Sequence, residues 1–569
     1  MSIFSTGQRG PTTAAIFIAL FLLIFLFVPV IQVIFVAFQD PSTGELTHLN
    51  FVDFFNSSLF RESFYNSLYV SAMSVVFASL IALPLAYFTT RFNFAGAALI
   101  QTLGIIPLIM PPFVGAVAMK LLFGANGSVN LLLDENFGFT IPFMEGLNGV
   151  ILVQSIHYFP FILINLSAAL MNIDRSMEES AQNLGSSGLR MFRRIVFPLA
   201  MPGYIAGAAL VFIKVFDDLG TPLLLDVNKM LAPQAYLRIS SIGISDPTGY
   251  VISVILIVIS VLSLWISLRA MKGKDYATSQ KGGGGLSKRD LKPWEKAGCY
   301  AVIIFILIMV LSPHLGLLLL SFGTIWSYAV LPDGYTIAHY VQVVGSASQY
   351  ITNTMLYAGL AALFDVILGT AIAYIVYRTG IKGRKWLDYG ATAALAVPGV
   401  VIGIGYLRTF YEWNVPIIDK PLATWWVIIV IALTIRRLPY ALRACVAAIQ
   451  QVDIMMEEAA ENLGADKRRT VWRIVVPLMS GGILAGFVTS FATASVELSA
   501  TIMLVSQDSD APLAFGIYEF MQSASGRGPG AALGMIAVVI VGLGTYMSHR
   551  IIARMERERG AGKIVAEET

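Results

Sequence analysis

Eight ionisable side chains stand inside long apolar runs: Lys120, Lys214, Asp217, Asp218, Asp365, Arg436, Arg437 and Glu497. A charge in hydrocarbon is costly unless it is paired or hydrated, so such residues mark either internal ion pairs or a polar path. Asp218 and Glu497 lie 279 residues apart (218 to 497), which places them at equivalent points of a fifth helix in each half. Lys214 precedes Asp218 by four residues, the spacing of a pair on one helix face. Arg436 and Arg437 would favour an anionic solute or an anion-chelated metal. The carboxylates of Asp217, Asp218, Asp365 and Glu497 would favour a cation. Asp217, Asp218, Arg436, Arg437 and Glu497 are therefore the candidate translocation path. The competing reading is that these charges pair and fix helix register.

No catalytic constellation accompanies them. The histidines His48, His157, His314, His339 and His549 are scattered, with no pair at metal-ligand spacing, so no metal site is expected. Cys299 and Cys445 fall in or beside apolar runs and suggest no disulfide framework. A phosphate-binding loop needs G-x-x-x-x-G-K-[ST]. The nearest approach, GGGGLSK at 282–288, has Ser287 in place of the glycine and Arg289 after the lysine. No catalytic residue, no nucleotide-binding loop and no cofactor is expected in this chain.

The chain of 569 residues is 56% hydrophobic and only 13% charged, against roughly 25% charged in soluble proteins. So few charges cannot cover a water-facing surface, and the composition is that of an integral membrane protein in a lipid bilayer. Apolar runs long enough to span lie near 13–38, 66–90, 97–123, 148–171, 199–225 and 250–270. Six more lie near 298–322, 353–377, 387–409, 424–447, 480–505 and 531–553. The run Thr13–Phe38 carries no charge and exceeds the about 7–15 apolar residues of a signal-peptide core, so a retained helix is expected. The polar, Gly-rich stretch between the sixes reads as a solvated linker. The predicted fold is all-α, with twelve transmembrane helices as two parallel six-helix repeats. The expected division is 1–270 for the first six-helix domain, 271–297 for the linker and 298–569 for the second. The linker holds Lys272, Lys274, Lys281, Lys288, Arg289, Lys292 and Lys296, whereas 124–147 and 323–352 hold no lysine or arginine. Excess positive charge marks the cytoplasmic side, which puts both termini and the linker there.

The halves repeat one another. ALPLAYFTTR (82–91) aligns with GTAIAYIVYR (369–378), and HYFP (157–160) with RRLP (436–439). Most telling is a polar stretch, EESAQNLGSSGLRMFRRIVFPL from Glu178, which returns as EEAAENLGADKRRTVWRIVVPL from Glu457. Acids open a short helix, Asn-Leu-Gly closes it with a turn that needs glycine, and a basic amphipathic segment leads to a proline. That segment is expected to lie along the membrane surface until Pro198 or Pro477 opens the next span. Positive-inside charge alone explains the arginines but not the shared register. Prolines also punctuate the third and ninth runs, at Pro107, Pro111, Pro112 and Pro398. Each loosens its helix, as a hinge or as ordinary kinked packing.

The twin stretches resemble the EAA motif of permease subunits of binding-protein-dependent ABC importers of the type I class. Glu179-Ser180-Ala181 with Gly185 and Glu458-Ala459-Ala460 with Gly464 carry the likeness, and Ser180 is the departure within the triplet. The resemblance implies that Glu178, Glu179, Ser180, Ala181 and Gly185, with Glu457, Glu458, Ala459, Ala460 and Gly464, form two coupling helices. Each would dock on one of two copies of an ATP-binding subunit. It further implies a periplasmic substrate-binding protein, a bacterial inner membrane, no nucleic acid and no ATPase site in this chain. A fused double permease is similar to the ferric-iron transport branch, to which FDDLGTPLLL (216–225) and IRRLPY (435–440) also bear a looser likeness. Ferric iron is the expected solute, with organophosphate, phosphonate or polyamine as alternatives. An ion-driven secondary transporter, which also suits two parallel repeats, is the rival from another class.

Overall fold

The computed structural model describes residues 9–567 apart from 174, 187, 272–288, 417–418 and 524. Most of the expected linker, with Lys272, Lys274, Lys281 and Lys288, lies outside the described residues. The described chain is helical throughout, relieved only by short turns and two-residue β pairs.

Among the described residues ten helices are long and apolar enough to cross a membrane, or eleven if one bent pair counts as a span. The expected count of twelve is thus not met as such, because the ninth run is broken and the tenth is less apolar. The third run is broken too, but its second piece begins a span of its own, Pro112–Phe137. In the second half the pieces Lys385–Ala396 and Gly399–Phe410 meet at 107°. Pro398 stands at the break, and in the first half Pro111 precedes Pro112–Phe123 in the same way. Proline removes a backbone donor and drives its predecessor out of the helical region. The tenth run forms the helix Val427–Gln451, but Arg436, Arg437 and Arg443 lower its apolarity. It is a buried central helix: Ile428, Ile429, Ala432, Leu438, Leu442 and Cys445 are all fully enclosed. Its counterpart, Leu147–Met171, is likewise 67% buried over its apolar window, against 22% for the first helix.

The outer helices carry the opposite signature. Ile16, Phe17, Leu20, Ile31 and Phe35 on the first helix, and Ile304, Phe305 and Ile308 on Pro293–Phe322, are exposed. Such an apolar surface is stable only against lipid.

The two halves exchange their first helices. Ile18, Leu22 and Leu26 pack in a cluster otherwise drawn from the second half, and the Tyr406 hydroxyl donates to the Phe25 carbonyl at 2.6 Å. Reciprocally, Cys299, Ile303, Ile306 and Val310 of Pro293–Phe322 pack in the cluster of the first half. Reciprocal exchange is what two repeats about a common axis produce, and it means that each half completes its core only with a helix from the other.

One expectation for the repeated stretch is corrected. The basic segment does not lie apart on the surface until proline opens a new helix. It is the first turn of the span itself: Gly188–Met191 and Lys467–Thr470 run on through single π-turns, Phe192–Val196 and Val471–Val475, into Phe197–Phe216 and Val476–Ser495. Pro198 and Pro477 follow each π-turn by one residue. The same arrangement recurs at Leu23–Phe27 before Pro29. A π-turn widens the helix and shifts the hydrogen-bond register by one. Here it makes room for a proline ring and its missing N–H, so the helix passes through the proline instead of stopping.

Candidate coupling turns and inter-half charge cluster

Arg175–Asn183 and Ile454–Asn462 are nine-residue helices. Each ends in the same hydrogen-bonded turn. Gly185 N–H donates to the Gln182 carbonyl and Ser186 N–H to the Ala181 carbonyl, at 2.8 and 2.9 Å. In the second copy Gly464 donates to Glu461 and Ala465 to Ala460, both at 3.0 Å. This is the Schellman arrangement, which requires a left-handed residue. Gly185 and Gly464 supply it with φ of 81° and 86°.

Helical periodicity sorts the motif residues onto two faces. Ala181, Glu457 and Ala460 are buried and Glu178 is partly so, while Glu179, Ser180, Glu458 and Ala459 are exposed. The inward acids anchor the helix. Glu178 Oε1 lies 2.6 Å from Arg91 Nη2, and Glu457 Oε1 lies 2.6 Å from Arg378 Nε. Arg378 also donates to the carbonyls of Ile449 and Val452, at 3.0 and 2.5 Å, and so ties the last turn of one span to the end of another and to the short helix. The Arg91 contact is a close charge pair without hydrogen-bond alignment. These arginines are missing from the sequence-derived set. The signal was present, since Arg91 and Arg378 align in the repeats, but nothing local connects them to the acids. Beside each glycine stands an exposed leucine, Leu184 at 89% and Leu463 at 90%. The two exposed apolar side chains stand at matching points of the two copies.

The candidate path residues are redistributed. Phe197–Phe216 and Val476–Ser495 end before the acids, so Asp217, Asp218 and Glu497 lie in the turns just beyond the fifth helices, not within them. The i to i+4 spacing of Lys214 and Asp218 therefore loses its helix. Asp218 accepts instead from Gln154 Nε2 at 2.7 Å. Glu497 accepts from Ala500 N–H at 3.2 Å, and Asp218 faces the backbone of Gly220 and Thr221 in the same way. Each acid thus caps the short helix that follows.

Four of the five residues form one buried network. Arg436 Nη2 lies 3.3 Å from Asp217 Oδ2, and its Nε lies 3.5 Å from Glu497, which also receives Arg437. Asp217 completes it by accepting the Gly399 N–H at 2.9 Å. Gly399 opens the helix after the 107° break, where N–H groups have no helical partner and favour an anion. Its missing side chain is also required: a Cβ there would come within 2.3 Å of Arg436 Nη1. Asp217 belongs to the first half, and Gly399, Arg436, Arg437 and Glu497 to the second, so the network bridges the halves. Lys214 stands within electrostatic reach of Asp217, Glu497 and Tyr440. Of the other charges, Asp365 accepts from Ser490, and Lys120 pairs with the exposed Asp226 at 3.3 Å.

The network has no mirror image. In the 279-residue register Asp217 corresponds to Val496, and Arg436 and Arg437 to His157 and Tyr158. In the 287-residue register that aligns Arg91 with Arg378, Gly399 corresponds to Pro112, which has no N–H. The Asp217 carboxylate, both arginines and the backbone donor thus have no counterpart on the other side, where only Glu497 is matched, by Asp218. Among the described residues no group of three or more His, Cys, Asp or Glu could hold a metal ion.

Comparison with known proteins agrees with this duplicated plan. The chain is similar to the ferric transport system permease protein FbpB of Actinobacillus pleuropneumoniae, 28% identical over 457 residues, covering 79% of this chain and 65% of that one. The chain thus spans just under two thirds of that relative. It is also similar to the Fe(3+)-transport system permease protein FbpB 2 of Haemophilus influenzae, at 23% over 430 residues, 74% of this chain and 77% of the relative. The molybdenum transport system permease protein ModB of Haemophilus influenzae matches at 30% over 214 residues, 36% of this chain but 93% of its own length. The family model of the inner membrane component of binding-protein-dependent transport systems matches twice, over 74–271 and 365–557. The chain therefore belongs to that family of inner membrane transport components, with two copies of its domain in one polypeptide.

Proposed function

We propose that the chain supplies both halves of the translocation path of an ATP-driven importer and that its solute is ferric iron. The observation that carries the reading is the pair of matched turns. Two nine-residue helices end at Gly185 and Gly464, are anchored by Arg91 and Arg378, and present Leu184 and Leu463 to water. A rigid helix held by ion pairs to the ends of spanning helices can pass a push from a partner into the membrane domain. Two such helices call for two copies of an ATP-binding subunit, and a periplasmic binding protein would deliver the solute at the opposite end. The turns and both termini then face the cytoplasm of a bacterial inner membrane, in keeping with the bias of basic residues.

Iron is supported by the ferric relatives, which align across most of both halves. The charge cluster is compatible with a chelated cation, because carboxylates and arginines stand together. A second reading, an oxyanion, draws on Arg436 Nη1 and Arg437 Nε, which are buried without hydrogen-bond partners, and on the molybdenum relative. Vesicles containing the chain, the ATP-binding subunit and the binding protein from the same gene neighbourhood distinguish these. Uptake of radioactive ferric iron, but not molybdate, that requires ATP and the binding protein is expected. Uptake that persists without ATP and collapses with the proton gradient would refute the importer, and ATP-dependent uptake of molybdate alone would refute iron.

A further inference from the structure

The two coupling turns are not equally furnished. Beside the first lies a cavity of about 830 Å³ whose walls include Arg91, Glu179, Gln182 and Gly185, and also Arg289 and Glu295. The last two come from the exit of the linker, at the start of the second half. They are built into place. Arg289–Asp290 pairs in parallel with Phe92–Asn93, directly after the span that carries Arg91. Asn93 Nδ2 donates to Asp290 Oδ1 at 3.1 Å. The Arg289 guanidinium stands 5.3 Å over the Phe92 ring and 2.9 Å from Glu295. Glu295 accepts from Lys292 N–H at 3.0 Å, and the Tyr300 hydroxyl donates to the Ala95 carbonyl at 2.8 Å.

Among the described residues the second turn has no such wall. Its cavity, about 450 Å³, is lined by Gly464, Asp466, Arg468, Arg469, Trp472 and Arg473, all from the segment of the turn itself. The charges differ as well. The first cavity has Glu178, Glu179 and Glu295 against Arg91 and Arg289, one more acid than base. The second has three arginines against Asp466. What the turns share is the helix, the left-handed glycine and the exposed leucine.

We propose that the linker exit, Arg289–Glu295, is part of the docking surface for one ATP-binding subunit only, so that two identical subunits are held by different contacts on the two sides. This rests on the coupling role proposed above. The shared helix and leucine give recognition common to both copies. The strand at Arg289–Asp290 adds a wall on the first side, and fixes by covalent continuity which half carries it. The linker is therefore a positioning element for the first subunit as well as a tether.

The test uses the full chain assembled with its ATP-binding subunit. Gln182→Cys and Glu461→Cys place a single exposed thiol at matching points of the two helices, while Cys299 and Cys445 are buried. Each thiol carries a photo-crosslinker. In the parent chain both sites should cross-link to the ATP-binding subunit. Adding Arg289→Ala with Asp290→Ala removes the ring contact and the side-chain bond, and cross-linking at 182 should fall about fivefold with 461 unchanged. Asp290→Asn alone, which keeps an acceptor for Asn93 and leaves the Arg289 ring contact in place, should cross-link at 182 as the parent does. No change at 182, or an equal fall at both sites, overturns the proposal. Failure of both sites to cross-link with the linker intact would instead overturn the coupling role on which it rests.

Discussion

Asp217→Asn tests whether the inter-half network is a lock on the path. The carboxylate accepts the Gly399 N–H at 2.9 Å and faces Arg436 at 3.3 Å, with all three buried. An asparagine oxygen can still accept from Gly399 but brings no charge. Arg436 then shares Glu497 with Arg437, two cations on one carboxylate. Losing a hydrogen bond to a charged group removes about 1.5–3 kcal/mol. Because the pair joins one half to the other, that loss falls on the state in which the halves are closed at this level. A difference of that size shifts a two-state equilibrium by roughly 10- to 150-fold. The assay is ATP hydrolysis by the reconstituted complex without binding protein. The variant should hydrolyse ATP at a rate that no longer waits for loaded binding protein, while uptake falls. Gly399→Ala should give the same behaviour by another route, since its Cβ would displace Arg436. The reasoning is refuted if Asp217→Asn and the parent both hydrolyse ATP only when the binding protein is added. It is equally refuted if the variant fails to assemble, because the pair would then serve the fold alone.

Arg378→Gln should loosen the second coupling helix more than Arg91→Gln loosens the first, because Arg378 makes an aligned ion pair and two carbonyl bonds where Arg91 makes one close contact. Hydrogen exchange across 454–462 and 175–183 would measure this, and equal protection losses would contradict it. Gly185→Val and Gly464→Val force a β-branched residue to φ above 80°, at a cost of about 1–2 kcal/mol or more. A Cβ at either position would meet no other part of the described chain within 4 Å, so the strain is local. Insertion should survive while the ATP-binding subunit is retained poorly and transport falls. Normal retention and transport in both variants would exclude these turns as the coupling elements.

What could be read from the sequence is what local forces decide. The spans follow from runs of apolar residues, and the Schellman turns from Asn-Leu-Gly followed by basic residues. The duplication made both turns visible twice. The breaks at Pro111 and Pro398 were visible as prolines but not as breaks, because the strength of a bend depends on what packs against it. The basic segments after Gly185 and Gly464 are contiguous with the spans because a π-turn absorbs the proline, which no residue pattern in these segments announces. The charge network was legible as a set of costly residues but not as a set of partners. Asp217 and Gly399 lie 182 positions apart, and Asp217 and Arg436 lie 219 apart. The choice of Gln154 over Lys214 as the partner of Asp218 depends on where the fifth helix stops, which the acids themselves help to decide by capping the next one.

The one-sidedness of this network bears on why the two halves share a chain. In a homodimer about a two-fold axis every contact occurs twice, because each surface patch is present on both subunits. An Asp and an Arg at these positions would then put a second Asp and a second pair of arginines into the same apolar interior, and each buried charge would need its own partner. Covalent fusion removes that constraint. Val496 and Pro112 can stand where Asp217 and Gly399 stand on the other side, and His157 and Tyr158 where the arginines stand. The Asp217 carboxylate and the two arginines occur once instead of twice, only the carboxylate at Asp218 and Glu497 is kept in both halves, and the bridge forms at a single place. The same freedom lets Arg289 and Glu295 wall the first turn, whereas the described residues lining the second come from its own segment. Exchange of the first helices still obliges the halves to fold as one body. The duplication thus keeps its symmetric scaffold in the spans and turns while its charges become asymmetric, and a fused chain can do this without also placing the second copy of every charged residue in the membrane.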